Sequence, residues 1–380
     1  MSRARNSRGV EGLRVRCFPR RMSENTFLSL LYDPLEARGA ELGAYDWFAS
    51  NFRGADIFHV HWPDAVVMGH SPRRTLAKLA AFLLSVAIYR ARGVPIVYHV
   101  HNIRSHDGAF PRAEAILWRF FLPRVRLFIH MNADSIAEFS ARWPGIPRDR
   151  HRILPPPRYP LRAASPADRA AARAELGLPP AGPVFLTFGL LRPYKGIEDL
   201  VAAFRALDRP EATLVVAGRP FDPAYGARLA ELCAGDPRIR FLPRFLSDEE
   251  LDRLIDACDI VVMAHRRVNN SGVALRALSG GRRLLAPARG ALPELGAMVG
   301  EGWITLFDEL DAPALASALA SEPAARAPDL SALDPEVVSA GLGEIFLALL
   351  DPEAEGEAAR SRPGPAGPGD PVAQGAGGEG

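Results

Sequence analysis

The chain has 380 residues, 48% of them apolar and 24% charged, with a formal net charge of +2. That length suits two or three domains, and that balance excludes a disordered, collagen-like or disulfide-stapled chain. The charge is unevenly spread: residues 1–150 carry 22 basic and 13 acidic side chains and the remainder 24 and 31, so a basic module precedes an acidic one.

Taken in chain order, short apolar runs alternate with segments of helical period. Arg14–Phe18 reads as a strand, followed by a helix from about 24 to 38. Asp56–His61 and Val94–Val100 are β-branched, apolar and bounded by turn residues, which predicts buried strands, and Arg126–His130 is a third. Helical patterns lie near 72–91, 112–123 and 133–142. The apolar stretch Leu76–Tyr89 is interrupted by Lys78 and is too short to span a bilayer. The prolines of LPPPRYP and LPPAG, on either side of an Ala/Arg-rich helical piece, break this rhythm and mark a linker.

Beyond the linker the alternation restarts with strands at Val184–Phe188, Ala212–Ala217, Ile239–Leu242, Ile260–Ala264, Arg283–Ala286 and Trp303–Leu306. Helices are predicted at 196–207, 223–234, 248–257, from about 272, near 292–298, at 312–321 and at 335–350. Alternation of this kind implies βαβ units and parallel sheets. The predicted fold is therefore α/β, with two Rossmann-like doubly wound domains facing across a cleft. The division is an N-terminal domain over 1–155, a linker over 156–182, a second domain over 183–335, a C-terminal helix over 336–350 and a disordered Gly/Pro-rich tail over 351–380.

Two segments carry the chemistry. In TFGLLRPYKG (187–196) a strand ends, Gly189 follows, and a short loop presents Arg192 and Lys195 before a helix opens. Lys78 and Lys195 are the only lysines in the chain, so a lysine in this loop is informative where another arginine would not be. Free N–H groups at a helix start, with two cations beside them, suit a diphosphate. In AHRRVNNSGVALRALSGG (264–281) Asn270, Ser271 and Gly272 lead into a second helix start, where capping groups and main-chain donors again face an anion.

With these motifs, LVVAG at 214–218 and RRLLAPARGALPEL at 282–295, the chain resembles a glycosyltransferase of the GT-B architecture related to family 4, over roughly residues 13–350. The resemblance implies a nucleotide-diphosphate sugar donor, a GDP- or UDP-sugar with GDP-mannose among them, held at its diphosphate by Gly189, Arg192, Lys195, Asn270, Ser271 and Gly272. It implies transfer to a glycan or lipid-linked acceptor in cell-surface or exopolysaccharide synthesis. One departure stands out. Retaining relatives carry two glutamates eight positions apart, and the matching positions here are Val268 and Arg276, which opens the question of inversion and of what holds the ribose.

The N-terminal half ends two strands in histidine-bearing loops, HVHWPD (59–64) and YHVHNIRSHD (98–107). An inverting transferase needs a base for the acceptor hydroxyl, and His101, Asp107 and Asp64 are the candidates, with His106 beside them. His101 matches the histidine that family members place near the sugar, and Trp62 and Asn102 are candidate acceptor or sugar contacts. His59 and His99 read as structural. An HxH pattern on a strand can ligate zinc, but no third well-spaced ligand accompanies it in the sequence, and neither metal nor cofactor is expected.

The basic half fits an acceptor carried on a lipid diphosphate at an anionic membrane. Arg3, Arg5, Arg8, Arg14, Arg16, Arg20, Arg21, Arg73, Arg74 and Lys78 are candidates for that face. No nucleic-acid reader motif is present, and nucleic acid is not an expected partner. Cys17, Cys233 and Cys258 form no CxxC pair and read as free buried thiols. With no apolar core of about 7–15 residues behind the basic N-terminus, the expected location is the cytoplasm, with peripheral contact at the inner face of the membrane. Alternatives on the same scaffold are a sugar-nucleotide epimerase, a glycan phosphorylase and a non-catalytic glycan- or nucleotide-binding protein.

Overall fold

The computed structural model describes residues 9–351 except 23–25, 48–50, 52–53, 69–70, 102–109, 163, 267–271 and 322–325. Two six-stranded sheets form, and every strand pair in both is parallel. The first contains β1 (Arg14–Phe18), β2 (Glu41–Ala44), β3 (Ile57–Val60), β4 (Ile96–His99), β5 (Leu127–His130) and β6 (His151–Ile153), in the order β2-β1-β3-β4-β5-β6. Its crossovers are α1 (Phe27–Ala37), α2 (Pro72–Ala91), α3 (Pro111–Phe121) and α4 (Ala133–Arg142). β3, β4 and β5 are buried along their whole length, as strands covered by helices on both faces must be.

The second sheet contains β7 (Val184–Phe188), β8 (Thr213–Ala217), β9 (Ile239–Leu242), β10 (Ile260–Val262), β11 (Arg283–Pro287) and β12 (Ile304–Phe307), in the order β12-β11-β10-β7-β8-β9. Around it lie α5 (Pro166–Glu175), α6 (Ile197–Arg205), α7 (Pro223–Ala234), α8 (Asp248–Ala257), α9 (Gly272–Ser279), α10 (Leu292–Val299) and α11 (Ala312–Ala320). The strand order reverses between β7 and β10. Such a switch point opens a crevice beyond the carboxyl ends of the two strands.

The linker predicted over 156–182 divides in two. Its second half is α5, started by a Ser165–Asp168 capping box and fixed to the second domain. Arg173 is buried and bonds Asp259 at 2.7 Å, and Asp259 also accepts from Arg169 and from the Val184 N–H. Three donors on one carboxylate make α5 part of that domain. The last helix, α12 (Pro335–Leu350), returns to the first domain. Val338, Leu342 and Phe346 complete the core formed by Val10, Leu28, Leu31 and Leu35.

Candidate active site

The floor of the second domain is set by glycines. Gly189 follows β7 at φ +103° and Gly218 follows β8 at φ +141°. A Cβ on Gly218 would sit 1.8 Å from the Gly189 carbonyl oxygen, so the two turns touch backbone to backbone. Lys195 closes the short Pro193–Lys195 turn, and Gly196 (φ +64°) then opens α6. A Cβ on Gly196 would fall 2.2 Å from the carbonyl oxygen of Ala264, just past β10. Loop and helix start are thereby pressed into the switch point.

The Lys195 ammonium is buried and lies against Gly189, 3.1 Å from where a Cβ would stand. Burial first, and the nearby Arg192 charge second, lower its pKa to about 8. Beside it, burial and the Lys195 charge lower His265 to about 3, so the pair is one cation and one neutral imidazole. Arg192 is half-buried, its guanidinium 5.9 Å over the Phe221 ring. The first turn of α6 carries two acids: Glu198 accepts from Tyr225, and Asp199, whose Oδ2 lies 3.4 Å from where a Cβ on Gly196 would stand, is paired with Arg266 at 2.8 Å.

A cleft of about 830 Å³ separates the domains. The second domain lines it with Gly189, Gly218, Arg219, Phe245, Glu249 and Gly272, and the first with Phe27, Trp62, His101 and Met131. Lys195 and Arg192 are not part of the wall itself; Lys195 stands behind Gly189. Asn270 and Ser271 lie outside the described residues, as does Val268, and only Gly272 of that motif is placed, at the start of α9. Arg276 lies on α9. It bonds Asp252 Oδ1 at 2.6 Å and the Asp248 carbonyl at 3.3 Å, and lies 4.9 Å over the Tyr159 ring. Two neighbouring aspartates offset its charge, and with Tyr159 it lines the cleft.

The first-domain wall is a ladder of imidazoles. Val60 pairs with Tyr98 in the parallel register of β3 and β4, which sets His61 beside His99. Alternation along each strand points His59 and His61, and His99 and His101, to one face. The His61 and His99 rings stack at 5.0 Å and 19°, and Trp62 stacks on His101 at 4.0 Å. His101 bonds His61 at 2.8 Å, and Tyr32 of α1 lies 2.5 Å from His61 and 2.7 Å from His59. Burial pulls all four histidines below their ordinary pKa, His99 to about 3, so the wall is neutral.

His59, His61 and His99 bring ring nitrogens within 4.8 Å of one another. The His61 and His99 rings lie within 19° of parallel, while His59 is tilted by 52° to His61 and by 36° to His99. Both nitrogens of His61 are occupied by hydrogen bonds.

Of the predicted base candidates His101 reaches the cleft, and so does Trp62, a candidate sugar contact. Asp64 does not: it is buried in the turn Pro63–Val66, and burial first, with the Asp64 charge second, raises the Tyr98 pKa. Carboxylates beside a strand end attract attention in a sequence, but the tight turn folds this one inward. Asp107, His106 and Asn102 lie outside the described residues. Sequence reading missed Tyr32, Tyr159 and the Asp248–Arg276 pair. Only the (i, i+2) spacing of the histidines signalled that His61 shares the face of His59.

The N-terminal arginines divide by place. Arg14 is paired with Asp56, Arg20 is buried against Glu36 and Asp33, and Arg21 is paired with Asp33, while Arg3, Arg5 and Arg8 lie outside the described residues. Arg73, Arg74 and Lys78 are exposed on α2. No helix of the described residues is long and apolar enough to cross a membrane.

Comparison with known proteins bears on this arrangement. The family model "Glycosyl transferases group 1" matches residues 182–321. A GDP-mannose:glycolipid 4-beta-D-mannosyltransferase of Xanthomonas campestris pv. campestris is 30% identical over 323 residues, which is 82% of this chain and 84% of the relative. Among solved structures, Anabaena Alr3699/HepE in complex with UDP and glucose superposes with a TM-score of 0.61 at 17% identity, over 91% of this chain and 100% of that one. The sucrose-phosphate synthase of Thermosynechococcus elongatus superposes with a TM-score of 0.57 at 20% identity, over 92% and 98%. The fold they share with this chain is GT-B.

Proposed function

The chain belongs to the group 1 glycosyl transferases, and on that premise we propose that it moves mannose from GDP-mannose to a glycolipid acceptor with inversion at the anomeric carbon. The observation that carries this reading is the extent of the mannosyltransferase match. It runs over 323 residues and so takes in the acceptor-side domain, where the family model stops at the donor side. The absence of the glutamate pair, with Arg276 at one of its positions, supports inversion.

In this reading Lys195, Arg192, the start of α6 and the segment Asn270–Gly272 hold the diphosphate and offset the charge that builds on it as the sugar departs. Trp62 stacks beside the sugar, and Asn102 contacts it. His101 accepts the proton of the attacking hydroxyl, with Asp107 as the second candidate base. The acceptor oxygen bonds to the anomeric carbon, the bond from that carbon to the diphosphate breaks, and GDP leaves with the electron pair. Arg276 and Tyr159 stand where the ribose would lie.

The acceptor's lipid is met on α2 and α3. Leu76, Leu84 and Ile116 are 67%, 50% and 53% exposed, and on α2 Ala77 and Ala80 share the stripe of Leu76 and Leu84. Arg73, Arg74, Lys78, Arg112 and Arg119 flank them. An apolar stripe edged by cations suits an anionic bilayer surface on the cytoplasmic side.

The test is thermal stability against GDP, UDP, TDP and ADP, with and without EDTA, followed by transfer assays on a lipid-linked acceptor. A ligand confined to the folded state raises the melting temperature with its affinity. The expected result is a shift with GDP that EDTA leaves intact, then transfer from GDP-mannose with inversion. No shift with any nucleotide would overturn the donor site, and a shift with UDP alone would overturn the choice of base.

A further inference from the structure

His101 is the cleft end of a hydrogen-bonded chain that runs into the core. His101 Nε2 lies 2.8 Å from His61 Nδ1, His61 Nε2 lies 2.5 Å from Tyr32 Oη, and Tyr32 Oη lies 2.7 Å from His59 Nδ1. Tyr32, His59 and His61 are fully buried. The groups facing the chain are few. Arg20 stands 5.2 Å over the Tyr32 ring, itself paired with Glu36 and Asp33, and the buried Cys17 thiol of β1 lies beside Tyr32. His99 stacks on His61 and His101.

A neutral imidazole has one N–H and one bare nitrogen, and a phenol has one hydrogen to give. Tyr32 can therefore give its hydrogen to only one of His61, His59 and the Cys17 sulfur, and can accept from the others. His59 Nε2 has no hydrogen-bond partner, and the Phe346 ring stands edge-to-face with His59 at 5.2 Å and 84°. His101, whose Nε2 bonds His61, can take a proton from a hydroxyl in the cleft only with Nδ1 bare and its hydrogen on Nε2. With hydrogen on His59 Nε2, its Nδ1 accepts from Tyr32. Tyr32 accepts from His61 Nε2–H, and His61 Nδ1 accepts from His101 Nε2–H.

We infer that Tyr32 is a positioning residue: acting through His61, it holds His101 in the Nε2–H tautomer and leaves the bare Nδ1 to face the acceptor hydroxyl. The inference rests on the reading of His101 as the proton acceptor. Tyr32 touches no substrate and carries no proton of the reaction. In the transfer the hydroxyl proton goes to His101 Nδ1 while the acceptor oxygen takes the anomeric carbon from the diphosphate. A tautomer fixed in advance spares the rearrangement that would otherwise precede that step.

Tyr32→Phe removes one oxygen and keeps the ring in its place. The expected kcat falls on the order of 10-fold, part of what a positioned base supplies, while the KM for the donor and the melting-temperature rise with GDP stay as in the wild type. Long-range ¹⁵N–¹H spectra of histidine-labelled protein, with His101→Gln for assignment, should show His101 as the Nε2–H form in the wild type and as a mixture in Tyr32→Phe. His61→Leu should reproduce the loss, and His61→Gln, whose amide both accepts and donates, should restore most of the rate.

An unchanged His101 pattern in Tyr32→Phe would overturn the inference, and so would a donor KM that rises as kcat falls. Stoichiometric zinc that is lost in His59→Ala would also overturn it, because the metal would claim the same nitrogens. Failure of the functional reading shows separately, as a wild type that transfers no sugar while the tautomer result still decides the role of Tyr32.

Discussion

Beyond β3 and β4 the cleft wall is made of imidazoles that burial keeps neutral and that bond chiefly to one another and to a phenol. Across from it, beyond β7 and β10, stand a buried lysine, glycine turns and a helix start. Topology is shared, since both sets occupy carboxyl ends of parallel strands, but the electrostatics are opposed. A neutral wall can take up a proton without first losing one, whereas the buried lysine behind the other wall regains its full charge beside an incoming anion. The comparison teaches that burial lowers both kinds of basic group, and that the outcome depends on what the substrate brings.

Acid should separate the two walls most sharply. The buried histidines of the first domain titrate lower when folded than the ordinary value near 6.5, so below that value the unfolded chain binds more protons and stability is lost as pH falls. Each such histidine contributes about 1.4 kcal/mol per pH unit below roughly 6.5. Calorimetry at pH 7 and pH 5 should show the first domain melting earlier at pH 5, and equal melting at both would break the contrast.

Removing the cation tests the other side. Lys195→Ala should lower kcat/KM for the donor by roughly 10²–10³, in steady-state assays, with Lys195→Arg losing less. Retained activity would take Lys195 out of the site. A smaller effect belongs to the scaffold that presents it. Gly218→Ala places a Cβ against the Gly189 carbonyl at positive φ and should destabilise the second domain by more than about 2 kcal/mol in urea unfolding. The smallest effect sharpens the comparison. With its pKa near 8, Lys195 loses charge as pH rises through that value, so GDP affinity by calorimetric titration should weaken several-fold between about pH 7 and 9. Lys195→Arg should flatten that dependence.

How much of this was legible follows from burial. Central strands such as VFLTF and TLVVA are continuous apolar runs because helices cover both faces, and they stand out from the sequence. β2 and β6 were missed. They are edge strands of four and three residues, Glu41–Ala44 and His151–Ile153, half exposed and paired on one side only, and ELGA holds no β-branched residue. In the site, Lys195 and the glycines beside it were legible because scarcity and turn chemistry both point to them. Tyr32 was not, since a tyrosine on the inner face of an amphipathic helix looks like core until the strand that carries its partners is laid beside it.

The returning helix α12 has a consequence for how the protein can be made. Phe346 and Leu342 seat on α1 and complete the first domain's core, and Phe346 touches the His59 ring. During synthesis the N-terminal half therefore leaves the ribosome with its apolar lid still untranslated, and it must wait out the whole of the second domain. Its hydrophobic face stays open over that interval. A fragment cut before Pro335 would carry the same open face permanently, so the first domain is completed only by a segment that follows the second in the chain.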